Sequence, residues 1–549
     1  MKALTAAEMR EVDRLTTERH GISQLQLMET AGNKAADIVW RIVAGRERVR
    51  VCVLCGKGNN GGDGFVAARR LKDSGVAVQV ILFGRVEDVR GDASANLARW
   101  RAAGNEVNLV NEIADWQRLW PTVASATVFV DALLGTGLRG APTGAIACAI
   151  TEINNLSRHC TAPTPALILA IDTPSGLPSD GEAAPGPLLT AHRTVTFTAP
   201  KIGQLISSNA DACGALEVVS IGSPASLAEE IGGSKIRWID ASEFAALPLV
   251  RSWNSNKGRY GHVLLVAGSA GKSGAAILAS LGALRAGAGL VTAAVPAPIQ
   301  SILAAAHPEY MTETLETTPD GAIAANNLRS GTFARIAEGK SVLAVGPGLG
   351  TAPETREFVS NLVRETSLPL VLDADALNAF AGHANLLRQR RSSFLAVTPH
   401  PGEMARLLGC TTAQVEADRV RIAGDAARDW NAHVILKGFH TLVASPDGRI
   451  FVNTTGNPGL AKGGTGDVLT GVLSALIAQF AAQFTAEFTA EFTDDAPLRA
   501  LALGVHLHGL AADLLAARDQ DRSGMLAGEV ANEIPAARSR LIRELQFGA

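Results

Sequence analysis

Short apolar runs alternate with longer, helix-compatible stretches along most of the chain. In the first half the runs 49–55, 76–83, 127–131, 167–172 and 194–197 are continuously apolar and rich in Val, Ile and Leu. Strands buried on both faces of a parallel sheet read this way, whereas half-exposed strands alternate with period two. The Ala/Arg/Leu-rich stretches between them predict crossover helices, so the pattern is βαβ repeated, an α/β fold. The second half restarts it with runs at 262–267, 290–295, 341–345, 370–373, 395–398 and 434–437. Between the halves, Gly222, Pro224, Gly232 and Gly233 punctuate the chain. The domain joint is expected there: a domain at 1–222, a linker at 223–239 and a domain at 240–549.

Composition narrows the classes of function. A chain of 549 residues is too long for one hydrophobic core, and 47% hydrophobic with 19% charged residues is enough to fill several. A net charge of −3, without basic runs, argues against a nucleic-acid partner. The N-terminal 21 residues are charged throughout and do not read as a signal peptide. No run has the ~18 uncharged apolar residues of a membrane span, so no membrane partner is expected. Six cysteines make no disulfide framework and fit a cytoplasmic setting. Cys52 and Cys55 form a CxxC, but on a strand residues three apart point to opposite faces, which favours core packing over a shared metal. The stretch 482–494 repeats T-A-E-F and reads as a surface extension at a helix end.

Candidate chemistry gathers where apolar runs end. Gly56-Lys57-Gly58-Asn59-Asn60-Gly61-Gly62-Asp63-Gly64 follows a strand and opens a helix. Its five glycines allow close backbone approach and positive φ, and the helix N-terminus offers N–H groups to an anion. Asn59, Asn60 and Asp63 are more polar than an ordinary dinucleotide loop. The structural alternative makes Asp63 a helix N-cap and the asparagines left-handed turn residues. Two more runs end in aspartate before a glycine turn: Asp131 before Leu133-Leu134-Gly135-Thr136-Gly137, and Asp172 before Thr173-Pro174-Ser175-Gly176. Ligands of open parallel sheets bind at such strand ends. Asn60, Asp131, Asp172 and Ser175 make an oxygen-rich pocket that suits a potassium-like or magnesium-like cation better than zinc.

The segments GNNGGDG, DALLGTGL, DTPSGL and TVTFTAPKIG resemble NAD(P)HX epimerase domains over nearly all of residues 1–220, and LMETAG at 27–32 is similar to that family's start. The resemblance implies a Rossmann-like three-layer domain that interconverts the R and S forms of 6-hydroxylated, hydrated NAD(P)H. It implies that Asn59, Asn60, Gly61, Gly62 and Asp63, with Gly135, Thr136, Gly137, Leu138, Arg139, Gly140 and Ala141, contact the nucleotide. Asn60, Asp131 and Ser175 would ligate potassium, and Asp172 would meet the damaged nicotinamide end. Both Asp131 and Asp172 qualify as the group that moves a proton.

The strongest single signal is Asn457-Pro458-Gly459-Leu460-Ala461-Lys462-Gly463-Gly464-Thr465-Gly466-Asp467, which leads into a helix. Free N–H groups there can stabilise a phosphoryl group in transfer, and Asp467 at the mouth can accept a hydroxyl proton. The plainer alternative is a glycine turn with an aspartate cap. Gly268-Ser269-Ala270-Gly271-Lys272-Ser273 mimics a P-loop ending, but Val266 stands where the first glycine belongs, and the loop is too short for a triphosphate.

The second half is similar, in order, to ribokinase-like ADP-dependent NAD(P)H-hydrate dehydratases over about 240–545. The segments NKGRYGH, LRAGAGLV, VGPGLG, VLDADALN, TPHPGE and LKGFHT precede the glycine hole. The resemblance implies that Lys437, Gly438, Phe439, His440, Thr441 and Gly466 bind ADP with Mg²⁺. Ala276, Gly350, His400 and Asp467 would bind NADHX or NADPHX, and Asp467 would be catalytic. It also implies a homo-oligomer. His400 alone would read as a structural hydrogen-bonder, and Asp373 and Asp375 could stabilise the sheet end. The competing readings are a kinase of the hydroxymethylpyrimidine or hydroxyethylthiazole type, which shares the glycine hole but not the first-half segments, and a nucleotide-binding scaffold.

Overall fold

Each apolar run folds as a strand in one of two sheets. The computed structural model describes residues 1–138, 140–159, 166–484, 496–519 and 522–547; Arg139 and most of the T-A-E-F repeat lie outside the described residues. The chain divides into two compact units, Met1–Ile236 and Arg237–Ala549.

The first unit is built on β1 (Arg50–Cys55), β2 (Ala77–Phe83), β3 (Asn108–Val110), β4 (Val128–Ala132), β5 (Leu167–Ile171), β6 (Arg193–Phe197) and β7 (Ala215–Val219). They form one parallel sheet in the order β3-β2-β1-β4-β5-β6-β7. The order reverses beside β1, so the carboxyl ends of β1 and β4 flank the crevice where a doubly wound sheet takes its ligand. Both faces are covered. Val51, Val53 and Cys55 enter one core, and Cys52 and Leu54 the other, so the two cysteines of the CxxC lie on opposite faces as expected. Burial pushes both thiols up, which leaves them as inert packing groups.

Two helices precede the sheet, α1 (Ala6–His20) and α2 (Gln24–Val43). Each starts at a reciprocal cap, Thr5 with Glu8 and Ser23 with Gln26. The glycine loop leads into α3 (Asn59–Asp73), which begins earlier than the motif suggests. Its N-cap is Gly58, so Asp63 lies inside the helix and is no cap. Neither asparagine is left-handed, and none of the five glycines has positive φ. The glycines are there for close approach. A Cβ on Gly56 would lie 1.9 Å from the Leu133 carbonyl oxygen, and one on Gly61 2.0 Å from that of Gly56. The expected joint, 223–239, carries the helix Ala225–Ile231 and a short strand.

The second unit has ten strands: β8 (Ile236–Trp238), β9 (His262–Val266), β10 (Leu290–Pro296), β11 (Met311–Leu315), β12 (Val342–Val345), β13 (Leu370–Leu372), β14 (Leu395–Val397), β15 (His433–Leu436), β16 (Thr441–Ala444) and β17 (Ile450–Asn453). Their order is β11-β10-β9-β12-β13-β14-β15-β16-β17-β8. The pairs from β11 to β15 are parallel; β15, β16 and β17 pair antiparallel. This is the ribokinase-like α/β architecture. The helices Ser273–Arg285 and Thr465–Phe484 cross in near backbone contact. A Cβ on Gly282 would lie 2.4 Å from the Val468 oxygen, and one on Gly471 1.9 Å from the Ala279 oxygen. Among the described residues one helix, Ala496–Arg518, is long and apolar enough to span a membrane, but 72% of its apolar window is buried, as in a core helix.

Gly56→Ala should destabilise the chain by roughly 2–3 kcal/mol, because the added methyl meets backbone that cannot step aside. Differential scanning calorimetry would read this as a lower unfolding midpoint; an unchanged midpoint would mean that the loop yields.

Candidate active sites

At the end of β4, Asp131 is fully buried and its carboxylate accepts three hydrogen bonds. Oδ1 accepts from Ser175 Oγ at 2.6 Å and Leu133 N at 3.2 Å, and Oδ2 from Ser175 N at 2.8 Å. Burial pushes its pKa up to about 6 even though these bonds pull it down. Asn60, in the first turn of α3, donates Nδ2–H to the Leu134 carbonyl at 3.0 Å. Its Oδ1 is buried without a hydrogen-bond partner. Ser175 ties the two strand ends together by also accepting from Leu134 N at 2.9 Å. An orphaned buried oxygen beside a buried carboxylate and a hydroxyl is a donor set that fits a hard monovalent cation.

Asp172 ends β5 with φ +62°, a left-handed conformation that costs a non-glycine residue about 1–2 kcal/mol. The surroundings hold it there. Its N–H donates to the Val195 carbonyl at 2.7 Å, and its carbonyl accepts from Gln204 Nε2 at 2.6 Å. Oδ1 pairs with Lys201 Nζ at 2.5 Å, and Lys201, 1% exposed, also donates to Thr196 Oγ1 at 2.7 Å. Asp172 and Lys201 line a cavity of about 710 Å³ together with Asn59, Asn60, Asp63 and the turn Gly135–Leu138. Asp63 is pushed well above the carboxylate range by burial, with Asp172 and Asp13 adding to the effect. Asp13, from α1, also lines the cavity and is pushed by burial up to about 6.

The other nominated residues sit differently. Asp131, Ser175, Gly61 and Gly62 are outside the cavity lining. Gly61 packs on Gly56, and Gly62 on Met28. Gly140 and Ala141 are exposed, and Arg139 is outside the described residues. Lys201 stands in the segment that carried the resemblance, TVTFTAPKIG, but its ion pair has no local signature. Asp13 lies in no motif.

The second site is organised around Asp373, buried just past β13. Oδ1 accepts from Lys437 Nζ at 2.8 Å and Thr398 Oγ1 at 2.6 Å, and Oδ2 from Thr470 Oγ1 at 2.7 Å. Burial raises its pKa, but Lys437 and the hydroxyls win and hold it below the usual value. Lys437 is likewise pulled down by burial but raised overall by Asp373 and Glu403. Gly466, at the start of the helix Thr465–Phe484, faces this pair; a Cβ there would lie 3.5 Å from Lys437 Nζ. A helix N-terminus beside a buried ammonium is an anion site. Asp467 stands in the same first turn. Burial, with Asp373 next, pushes it up to about 6, in the range of a general base working at neutral pH.

Three further residues support this corner, of which His508 and Asp513 carry no sequence signal. Thr465 Oγ1 donates to the Leu460 and Lys462 carbonyls, both at 2.9 Å. His508, in the helix Ala496–Asp519, is buried and hydrogen-bonds the Thr465 backbone, with burial pulling its pKa down to about 4. Asp513, in the same helix, accepts from Gly456 N at 2.8 Å and Asn457 Nδ2 at 3.0 Å.

His400 is the N-cap of the helix Pro401–Leu408. Its Nδ1 accepts from Gly402 N at 3.0 Å and Glu403 N at 3.3 Å, and Glu403 returns a bond from His400 N at 2.8 Å. The structural reading of His400 therefore holds, while half of its side chain remains exposed. Asp375 accepts from Gly350 N at 2.8 Å and meets Lys272 at 3.3 Å. Between the two aspartates, Ala374 has φ +49°. Ala276 is fully buried, packed beside Gly268. In the loop after β15, Arg419 donates to the carbonyls of Leu436 and Phe439, Thr441 Oγ1 donates to that of Gly438 at 3.1 Å, and Phe439 stacks on His440 with ring centroids 3.9 Å apart.

Comparison with known proteins follows the same division. The NAD(P)H-hydrate dehydratase family model matches residues 263–536, and the model of the YjeF-related protein N-terminus matches 24–203. The bifunctional NAD(P)H-hydrate repair enzyme Nnr of Moorella thermoacetica is 41% identical over 547 residues, covering 100% of this chain and 98% of that protein. The enzymes of the same name from Salinibacter ruber and Escherichia coli are 38% and 35% identical, covering 97% and 96% of this chain and 95% and 92% of theirs. Among solved structures, the ADP/ATP-dependent NAD(P)H-hydrate dehydratase of Bacillus subtilis, co-crystallised with ATP and Mg²⁺, is similar with a TM-score of 0.46 and 28% identity, over 56% of this chain and 98% of that one.

The raised pKa of Asp467 sets a stability prediction. The folded state binds its proton more tightly than the unfolded chain does. The ionised group therefore costs stability that grows as pH rises from the unfolded value to about 6 and is constant above. Asp467→Asn should stabilise the chain by roughly 1–3 kcal/mol at pH about 8. The gain should shrink below pH about 4, in denaturant titrations run at both values. A variant no more stable than the parent at the higher pH would show that Asp467 carries no strain.

Proposed function

This chain belongs to the family of bifunctional NAD(P)H-hydrate repair enzymes, and from that membership we propose that it returns hydrated NADH and NADPH to service in two steps. Residues 1–222 interconvert the R and S forms of the 6-hydroxy nucleotide, 223–239 join the domains, and 240–549 dehydrate the S form with Mg–ADP as co-substrate. The cytoplasm suits the free, buried thiols of Cys52, Cys55 and Cys213.

The observation that carries the dehydratase reading is the meeting of Lys437, Gly466 and Asp467 at one helix N-terminus. Hydroxide is a poor leaving group. Transfer of the terminal phosphoryl of ADP to the C6 hydroxyl turns it into a phosphate ester and releases AMP. Phosphate then leaves C6 as C5 gives up a proton, and the ring double bond returns. The first-turn amides and Lys437 stabilise the charge on the migrating phosphoryl, and Asp467 takes the hydroxyl proton. The loop Lys437–Thr441, held by Arg419, binds the nucleotide, and His400 and Gly350 border the hydrated ring, whereas Ala276, fully buried beside Gly268, does not reach it. Asp373 works at one remove, keeping Lys437 in place.

In the first site Asn60, Asp131 and Ser175 hold potassium; the unpartnered Asn60 Oδ1 supports this choice. The ion supplies fixed positive charge that orients the bound nucleotide. Asp131 lies outside the cavity lining, which leaves Asp172, on the cavity wall, to handle the proton. Asn59, Asp63 and Gly135–Leu138 line the space for the nucleotide.

Each hydrated epimer, incubated with the chain with and without ADP, separates the steps. Both should regain reduced-nicotinamide absorbance only with ADP. Asp467→Asn should lower that recovery by about a hundredfold or more while the epimers still interconvert; retained recovery would remove Asp467 from the reaction. Asp131→Ala, or replacing potassium with a large organic cation, should slow interconversion and leave dehydration of the S form unchanged. Interconversion at the parent rate in either case would remove the cation from this site.

A further inference from the structure

The first site holds more acid–base chemistry than its motifs. Asp13 lies on α1, far in sequence from every strand end, yet it lines the same cavity as Asp172, Asp63 and Lys201. Its Oδ1 is buried without a hydrogen-bond partner. A carboxyl on a cavity wall with one oxygen unpaired is available to whatever fills that cavity. Lys201, the ammonium of this cluster, is already committed to Asp172 at 2.5 Å and Thr196 at 2.7 Å. One carboxylate is thus ion-paired, while Asp13 has no ion partner, and burial favours its protonated form.

We propose that Asp13 and Asp172 are the proton-transfer pair of the first site, Asp13 as the acid and Asp172 as the base, acting on a cyclic hemiaminal. This rests on the epimerase reading above. In the hydrated ring C6 carries both a hydroxyl and the ring nitrogen N1. Asp172 takes the hydroxyl proton, the C6–O bond becomes a carbonyl, and the C6–N1 bond breaks with its electron pair going to N1. Asp13 gives its proton to N1. The open aldehyde turns about C5–C6, N1 adds to the other face of the carbonyl, and both protons return to their starting groups. Nothing is oxidised or reduced and no co-reactant enters. The left-handed backbone of Asp172, retained at a cost and held by Gln204 and Val195, is the kind of strain that persists where a side chain must be aimed.

The test uses the full chain and the R form of hydrated NADH, with the S form followed by chromatography without ADP. Asp13→Asn should slow interconversion by about a hundredfold or more. Its unfolding midpoint should be no lower than the parent's, because the group it replaces lacks a partner for one buried oxygen. Asp13→Glu, which keeps the carboxyl, should recover part of the rate. Interconversion at the parent rate in Asp13→Asn, or no recovery in Asp13→Glu with an unchanged midpoint, would overturn the assignment. A parent chain that does not interconvert the epimers would overturn the epimerase reading itself.

Discussion

The second unit's chemistry depends on one buried carboxylate. Asp373 sits where β13 ends, and its two oxygens take Lys437 from the end of β15, Thr398 from the end of β14 and Thr470 from the helix Thr465–Phe484. Leaving either charge alone in the interior would cost several kcal/mol, so Asp373 and Lys437 stay paired with the two hydroxyls around them. Thr470 is one turn beyond Gly466. The same carboxylate that holds the ammonium therefore also holds the helix N-terminus, where a Cβ on Gly466 would lie 3.5 Å from Lys437 Nζ. Two positive sources, the ammonium and the free amides, converge because a single negative group anchors both.

The first unit solves a related problem with less charge. Asp131 is buried with no ammonium, and its compensation comes from Ser175 and the Leu133 amide. The ion pair is moved to Asp172, whose backbone pays for its position in strain. The contrast separates the two aspartates: Asp131 is tied into the structure by Ser175, and Asp172 lines the cavity. Glycines make both sites possible by removing side chains where backbone meets backbone at Gly56, Gly61 and Gly471.

The strands were readable because a strand buried on both faces must be apolar throughout. The edge strands β3, β7, β8 and β11 were not, since partly exposed residues blur that contrast, and the short antiparallel strands β16 and β17 were missed as well although they are buried. Asp131, Asp172 and Lys437 were readable because each stands at the end of an apolar run near glycines, and Asp467 because it follows a glycine stretch that opens a helix; the family resemblance added their roles. The glycine segment does open a helix, but the alternative that made Asp63 its cap fails, because α3 starts at Asn59 and Asp63 lies buried inside it.

By itself the sequence determined two parallel-sheet domains, the glycine loops and the polar groups at the strand ends, because periodicity and strand-end chemistry are local properties of the chain. Tertiary structure alone decided that Asp13 reaches the first cavity, that Lys201 pairs with Asp172, and that Thr470, Glu403 and His508 brace the second site. A polar residue inside a helix carries no local mark of its partner. Its role comes from burial, which makes an unpaired group costly and so selects the distant residue that meets it.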